Sequence, residues 1–159
     1  MAATVDTSGL DRLSESWERL VKQFPESKRR LLSELGQKML QKVQGEIGGE
    51  GKVAGWQAPY MGSGGGYAAV RAKKDTWQAT RGGKRYAVGH ITNAIEGGHK
   101  HGGRWGSPRK GYKYRGRIHV AAVPGRWFYA AVRQMLPNMA EEEARELTKL
   151  LVDGLEGEL

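Results

Sequence analysis

Lys100, Arg104, Arg109, Lys110, Lys113, Arg115 and Arg117 fall in one stretch of the chain, with Trp105, Tyr112 and Tyr114 set between them. Residues 99–119 hold these seven cations and no acid. Cations neutralise phosphates and release counterions, and aromatic faces stack on bases, so this composition suits a single strand or a duplex backbone. Arg, Tyr and Trp are also the residues enriched at protein interfaces, so an acidic protein surface fits equally well. A plain solvated loop is the third reading. The net charge of +9 is therefore local, because the rest of the chain sums to only +2, and from Val120 onward four bases face seven acids.

Other chemistry finds less support. The four histidines are His90, His99, His101 and His119. A zinc site needs three or four ligands converging on one point, and His99 with His101 supplies only two, so no metal is expected and surface histidines are the simpler reading. The stretches TRGGKRYAVG and MGSGGGYAAV resemble parts of phosphate-binding loops but lack the GxxxxGK[ST] spacing, since Gln78 stands where the first glycine belongs. No serine occupies a GxSxG elbow, and Glu96, the one acid near the basic loop, reads as structural or solvated. The expectation is a protein that is not an enzyme and takes no cofactor. Without cysteines, disulfides and thiolate metal sites are excluded. The N-terminus has no basic n-region or apolar h-region, and no apolar run is long enough for a bilayer, so a cytoplasmic chain with no membrane partner is expected.

The elements that must position these residues are legible from periodicity. Leu10, Leu13, Trp17, Leu20, Val21 and Phe24 recur at helical steps. Pro25 interrupts them, and Leu31, Leu32, Leu35, Met39, Leu40 and Val43 carry a second helix or a kinked continuation, ended by Gly45, Gly48 and Gly49. The centre changes period: GKVAGWQ, GYAAVRA, DTWQAT, RYAVGHIT and RIHVAAV read as four or five short strands separated by glycine turns. Phe128, Ala131, Val132, Met135 and Leu136 restart a helix that Pro137 breaks, before Leu147, Leu150, Leu151 and Leu155 mark the last one. The fold class expected is α+β: N-terminal helices, a small antiparallel sheet of four to five strands with long glycine-rich loops, and a C-terminal helix. A single domain over 1–159 is expected, with a helical segment 8–44, a strand and loop region 45–123 containing the basic loop 97–116, and a C-terminal helical segment 124–155.

Three stretches taken together, VAGWQAPYMGSGGGYAAVRA at 53–72, YAVGHITNAIEGGH at 86–99 and RIHVAAVPGRWFYAAVR at 117–133, resemble the tail-completion or neck proteins of long, non-contractile-tailed bacteriophages and prophages. The resemblance runs from about Leu31 to Leu155. One departure is EIGGEGKVAGWQ, which stands where many members carry a PVDTG-type segment. The resemblance implies a minor structural component of the virion, a small α+β fold that self-assembles into a sixfold ring where head meets tail. Its implied partners are further copies of itself and the tail-terminator and head-closure proteins, and its location is the virion, with the host cytoplasm during assembly. In that setting the interaction residues Lys100, Arg104, Trp105, Arg109, Lys110, Tyr112, Lys113, Tyr114, Arg115 and Arg117 would form an assembly arm, docking on an acidic neighbour such as 141–158 or lining the path of the genomic DNA. The alternative is an independent basic nucleic-acid-binding protein that uses residues 99–119. Trp56, Trp77, Trp105, Trp127 and Tyr129 are candidates for ring contacts, with burial in the monomer's own core the competing reading, above all for Trp127.

Overall fold

The computed structural model describes residues 8–48, 51–99 and 122–159. In chain order its elements are helix α1 (Ser8–Ile47), a single helical turn α2 (Lys52–Gly55), strands β1 (Gln57–Met61), β2 (Ala68–Ala72), β3 (Trp77–Ala79) and β4 (Arg85–Ala87), helix α3 (Val88–Gly97), strands β5 (Gly98–His99) and β6 (Val123–Pro124), and helix α4 (Phe128–Glu156). The class is mixed helix and sheet, with a long helix at each end. Among the described residues the strands form three separate pairs, β1 with β2, β3 with β4 and β5 with β6, rather than one sheet of four to five. None of the helices there is long and apolar enough to cross a membrane.

Two differences from the sequence reading account for this. YAVGHIT is not one strand: the β conformation stops at Ala87 and α3 begins at Val88. Val88, Ile91, Thr92 and Ile95 lie at i, i+3, i+4 and i+7, a helical stripe, and Val88 and Thr92 are buried along it. The β-branched residues that suggested a strand are here the covered face of a helix. GKVAGWQ likewise opens with the turn of α2 and only then becomes β1.

The prolines do not break the helices either. Pro25 lies inside α1 and Pro137 inside α4. An interior proline removes one backbone hydrogen bond and costs about 3 kcal/mol. Anchored residues on both sides of each proline offset that cost, as the packing below shows. The first helix ends at Gly48, whose φ of 107° favours glycine and whose N–H donates to the Gly45 carbonyl at 3.0 Å.

The chain divides into two compact units. Unit 1 comprises residues up to Gln41, Pro59–Val70 and Arg133–Leu159. Within it α1 and α4 run antiparallel. Ser16, fully buried, donates its hydroxyl to the Gly154 carbonyl at 3.2 Å and accepts from the Leu159 N–H at 3.2 Å. Gly154 permits this approach, since a methyl group there would stand 2.7 Å from Leu20 Cδ2. Further along the pair, Arg30 reaches Glu146 at 3.1 Å and Lys38 pairs with Glu143. Tip residues 59–70 form a turn in which Gly62 donates to the Tyr67 carbonyl at 3.0 Å and the Tyr67 ring covers the Gly62 Cα.

Unit 2 comprises Lys42–Ala58 and Arg71–Val132. Val43, Ile47, Ala54, Val88, Phe128 and Val132 are buried there, together with the polar Gln57 and Thr92. In β3 and β4 the register is Trp77 with Ala87, Gln78 with Tyr86 and Ala79 with Arg85, antiparallel.

Candidate interaction site

Two short strands flank the basic segment in the sequence and pair with each other. β5 and β6 pair antiparallel, Gly98 opposite Pro124 and His99 opposite Val123. Residues 99 and 123 thus share one rung of a two-rung stem. Glycine is required in β5 and directly after β6. Gly98 has φ 69°, and a methyl group there would strike the backbone around Val123 and Pro124; one at Gly125 would strike the Glu96 carbonyl. The backbones therefore touch directly, with no side chain between them.

The stem is fixed to α3 and α4 chiefly through Glu96. Arg126 donates its N–H to the Ile95 carbonyl at 2.9 Å, and Trp127 to the Glu96 carbonyl at 3.1 Å. The Glu96 carboxylate then accepts from the Tyr129 N–H at 3.1 Å and the Ala130 N–H at 3.2 Å, the first turn of α4. Those N–H groups have no partner within their own helix, and a carboxylate beside them also meets the positive end of the helix dipole. Glu96 is thus a helix cap supplied from 33 positions away, which is the structural role the sequence allowed it.

Beneath the cap lies a closed polar network. Tyr129 donates its hydroxyl to Gln57 Oε1, and Gln57 Nε2 donates to the Val53 carbonyl at 2.9 Å and to Thr92 Oγ1 at 3.4 Å. Gln57 and Thr92 are 2% and 1% exposed, so these bonds replace water lost on folding. Burial, reinforced by the Glu96 charge, pushes the Tyr129 phenol up to about 12. Both groups are therefore committed: Glu96 as an acceptor of backbone N–H groups, Tyr129 as a neutral donor. Together they make the foot of the stem, tying the start of α4 to β1 and α3.

Around the foot, Trp127 is 58% exposed and Val123 50% exposed, beside the exposed Arg126. Trp127 has φ 54°, a backbone region that costs a bulky residue about 1–3 kcal/mol and persists where the surroundings enforce it. The Glu96 contacts on either side do so. The reading of Trp127 as core is thereby corrected, because its ring stands outside while its neighbour Phe128 fills the interior at 1% exposure. Trp77 is also exposed and Trp56 half-buried.

The ten interaction residues expected from the sequence, Lys100, Arg104, Trp105, Arg109, Lys110, Tyr112, Lys113, Tyr114, Arg115 and Arg117, lie outside the described residues, as do His101 and His119. Their flanking stem is what the structure brings together. His90 is exposed on α3, and among the described residues no group of three or more His, Asp or Glu is placed to hold a metal ion. The proposed acidic docking surface at 141–158 is already engaged in part, since Glu143 and Glu146 pair with Lys38 and Arg30 of the same chain.

Sequence reading passed over a second surface. On α1, Leu10, Trp17 and Val21 are 69%, 50% and 73% exposed, and their spacing of seven and four places them on one face. Leu13, Leu20 and Phe24, from the same apolar pattern, are half-buried. The apolar face written in the sequence is thus wider than the face α4 covers. Leu151, Val152 and Leu155 are exposed near the end of α4 as well. The chain matches no family model, no curated protein and no solved structure.

Proposed function

We propose that this protein is a structural component of a phage or prophage virion that assembles with copies of itself into a ring at the neck, during tail completion and head-tail joining. The observation that carries the reading is the uncovered apolar stripe of Leu10, Trp17 and Val21 on α1. Burying one such side chain contributes roughly 1.5–3 kcal/mol, so three of them supply a substantial part of the driving force for association. A monomer gains nothing by displaying them in one line, whereas an interface does. The strained, exposed Trp127 at the foot of the stem supplies a second anchor of the type found at interface centres. The three stretches that resemble tail-completion proteins give this self-association its setting, and the tail-terminator and head-closure proteins are the neighbours it would meet. Head-to-tail contacts between identical subunits either close or polymerise, so a protein of fixed place in a virion must close.

The test is native mass by light scattering across a salt series, with the same samples imaged by negative stain. Closed particles of one size are expected, and they should persist at high salt because the stripe is apolar rather than charged. The double variant Trp17→Ser/Val21→Ser should be monomeric with an unchanged circular dichroism spectrum. Wild-type protein that stays monomeric at every salt and concentration overturns the proposal.

A further inference from the structure

The β3–β4 hairpin carries charge and aromatic surface that neither the stem nor the helical pair explains. Residues 73–87 contain Lys73, Lys74, Arg81, Lys84 and Arg85 against the single acid Asp75, a net charge of +4 in fifteen residues. All five cations are exposed, and among the described residues no carboxylate is within ion-pair distance of any of them. The register puts Trp77 and Arg85 on one face of the ribbon and Tyr86 on the other. Trp77 is 53% exposed and Tyr86 47% exposed, so both faces are open. The Arg85 guanidinium lies over the Trp77 ring, 5.8 Å from its centre, which holds the charge at the surface in a defined place. At the tip, Thr80 and Lys84 are joined by a backbone hydrogen bond of 2.8 Å and by the Thr80 hydroxyl at 3.2 Å, and Gly83 turns at φ 76°. The ribbon is short, tied at its end, and charged at both ends.

The geometry points to a nucleic-acid backbone as the partner of this ribbon. Charge complementarity selects a polyanion, and a duplex presents one negative charge per about 1.7 Å of its axis, so a few paired rungs face several phosphates at once. A two-stranded ribbon is also narrow enough to enter a major groove roughly 12 Å wide. An acidic protein surface is the weaker fit. Beside the two aromatics, the ribbon offers only the small side chains of Ala79 and Ala87, and so lacks the apolar centre that protein interfaces desolvate. The ribbon lies outside residues 99–119 and does not depend on the virion reading. A ring that assembles normally and ignores nucleic acid overturns this inference alone.

The experiment is fluorescence anisotropy of the full-length protein with a labelled short DNA duplex and, separately, a thymidine oligonucleotide, between about 50 and 200 mM salt. Arg81→Ser/Lys84→Ser/Arg85→Ser should weaken duplex binding by about tenfold or more at the low-salt end, and make the log-log salt slope shallower by about 0.9 for each phosphate contact removed. The variant Arg109→Ser/Lys110→Ser/Lys113→Ser/Arg115→Ser should retain the ribbon's share. If the triple variant loses its fold by circular dichroism, Lys84→Glu at the tip serves instead, with the same direction expected. Tighter binding of the oligonucleotide than of the duplex would identify a single strand as the form bound and still support the inference. Equal affinity and slope in wild type and variant, or displacement of the duplex by polyglutamate of equal charge concentration, overturns it.

Discussion

The two units of this chain differ in where they keep their apolar residues. Of the seven hydrophobic residues buried among those described, six belong to unit 2, and only Leu35 belongs to unit 1. Of the twelve large hydrophobics that are exposed, eight belong to unit 1, and most of these lie along its two helices. The four in unit 2 lie on the ribbon and at the stem: Trp77, Tyr86, Val123 and Trp127. Unit 2 is thus held by a dry interior and a saturated polar network. Unit 1 is held by a helical pair with a glycine approach, two ion pairs and one polar clasp at Ser16. The difference shows that unit 2 buries its apolar residues, whereas the α1–α4 pair of unit 1 leaves Leu10, Trp17 and Val21 uncovered.

That contrast can be broken by substitution. The largest effect should come from Phe128→Ala in unit 2, expected to cost about 3–5 kcal/mol in chemical denaturation because it leaves a cavity under α4. A cost under about 1 kcal/mol would show that the interior is not what holds unit 2. Next comes Glu96→Ala, which strips two charge-assisted bonds from the start of α4 and should cost about 2 kcal/mol, with amide exchange accelerated at Tyr129 and Ala130. Glu96→Gln should recover part of that loss, since an amide oxygen still accepts from the helix N-terminus without the full charge.

A smaller effect sharpens the role of the polar network. The folded phenol of Tyr129 titrates at about 12, above its ordinary value of 10.0. The neutral form is therefore favoured by folding, and its contribution is full below pH 10 and lost as pH rises through about 12. Stability measured across that window should fall in the wild type and fall less in Tyr129→Phe. Smallest is the effect of Trp17→Ser/Val21→Ser on the monomer, about 1–2 kcal/mol, because Trp17 is half exposed and Val21 mostly so. Under the proposed ring assembly, the larger effect of this variant is expected in native mass rather than in stability.

How much of this was legible depends on the range of the interaction. Helical period at Leu13, Leu20, Leu31, Leu35 and Val43 is local, and α1 follows it. The pattern of GYAAVRA and DTWQAT is local too, and β2 and β3 form there. Pro25 and Pro137 misled because a proline's cost is local while the packing that offsets it comes from residues over a hundred positions away, as with buried Ser16 and Gly154. Val88, Ile91, Thr92 and Ile95 carried a helical stripe in plain sight, hidden by β-branched side chains that weigh toward strand. The cap from Glu96 to Tyr129 joins positions that no short window contains. The ribbon's charge was masked differently: set against the seven cations of 99–119, the remaining +2 averages Lys84 and Arg85 with distant acids such as Glu141 and Glu142.

The two-rung stem has a consequence for protein engineering. Because His99 and Val123 share one rung, the two ends of residues 100–122 are held side by side. For a flexible insert, doubling its length adds only about 0.6 kcal/mol of closure entropy, and no residue of the buried network has to move. A sequence grafted between those two points leaves the contacts of Glu96, Gly98 and Gly125 in place, so the stem offers an engineer a site for a foreign epitope.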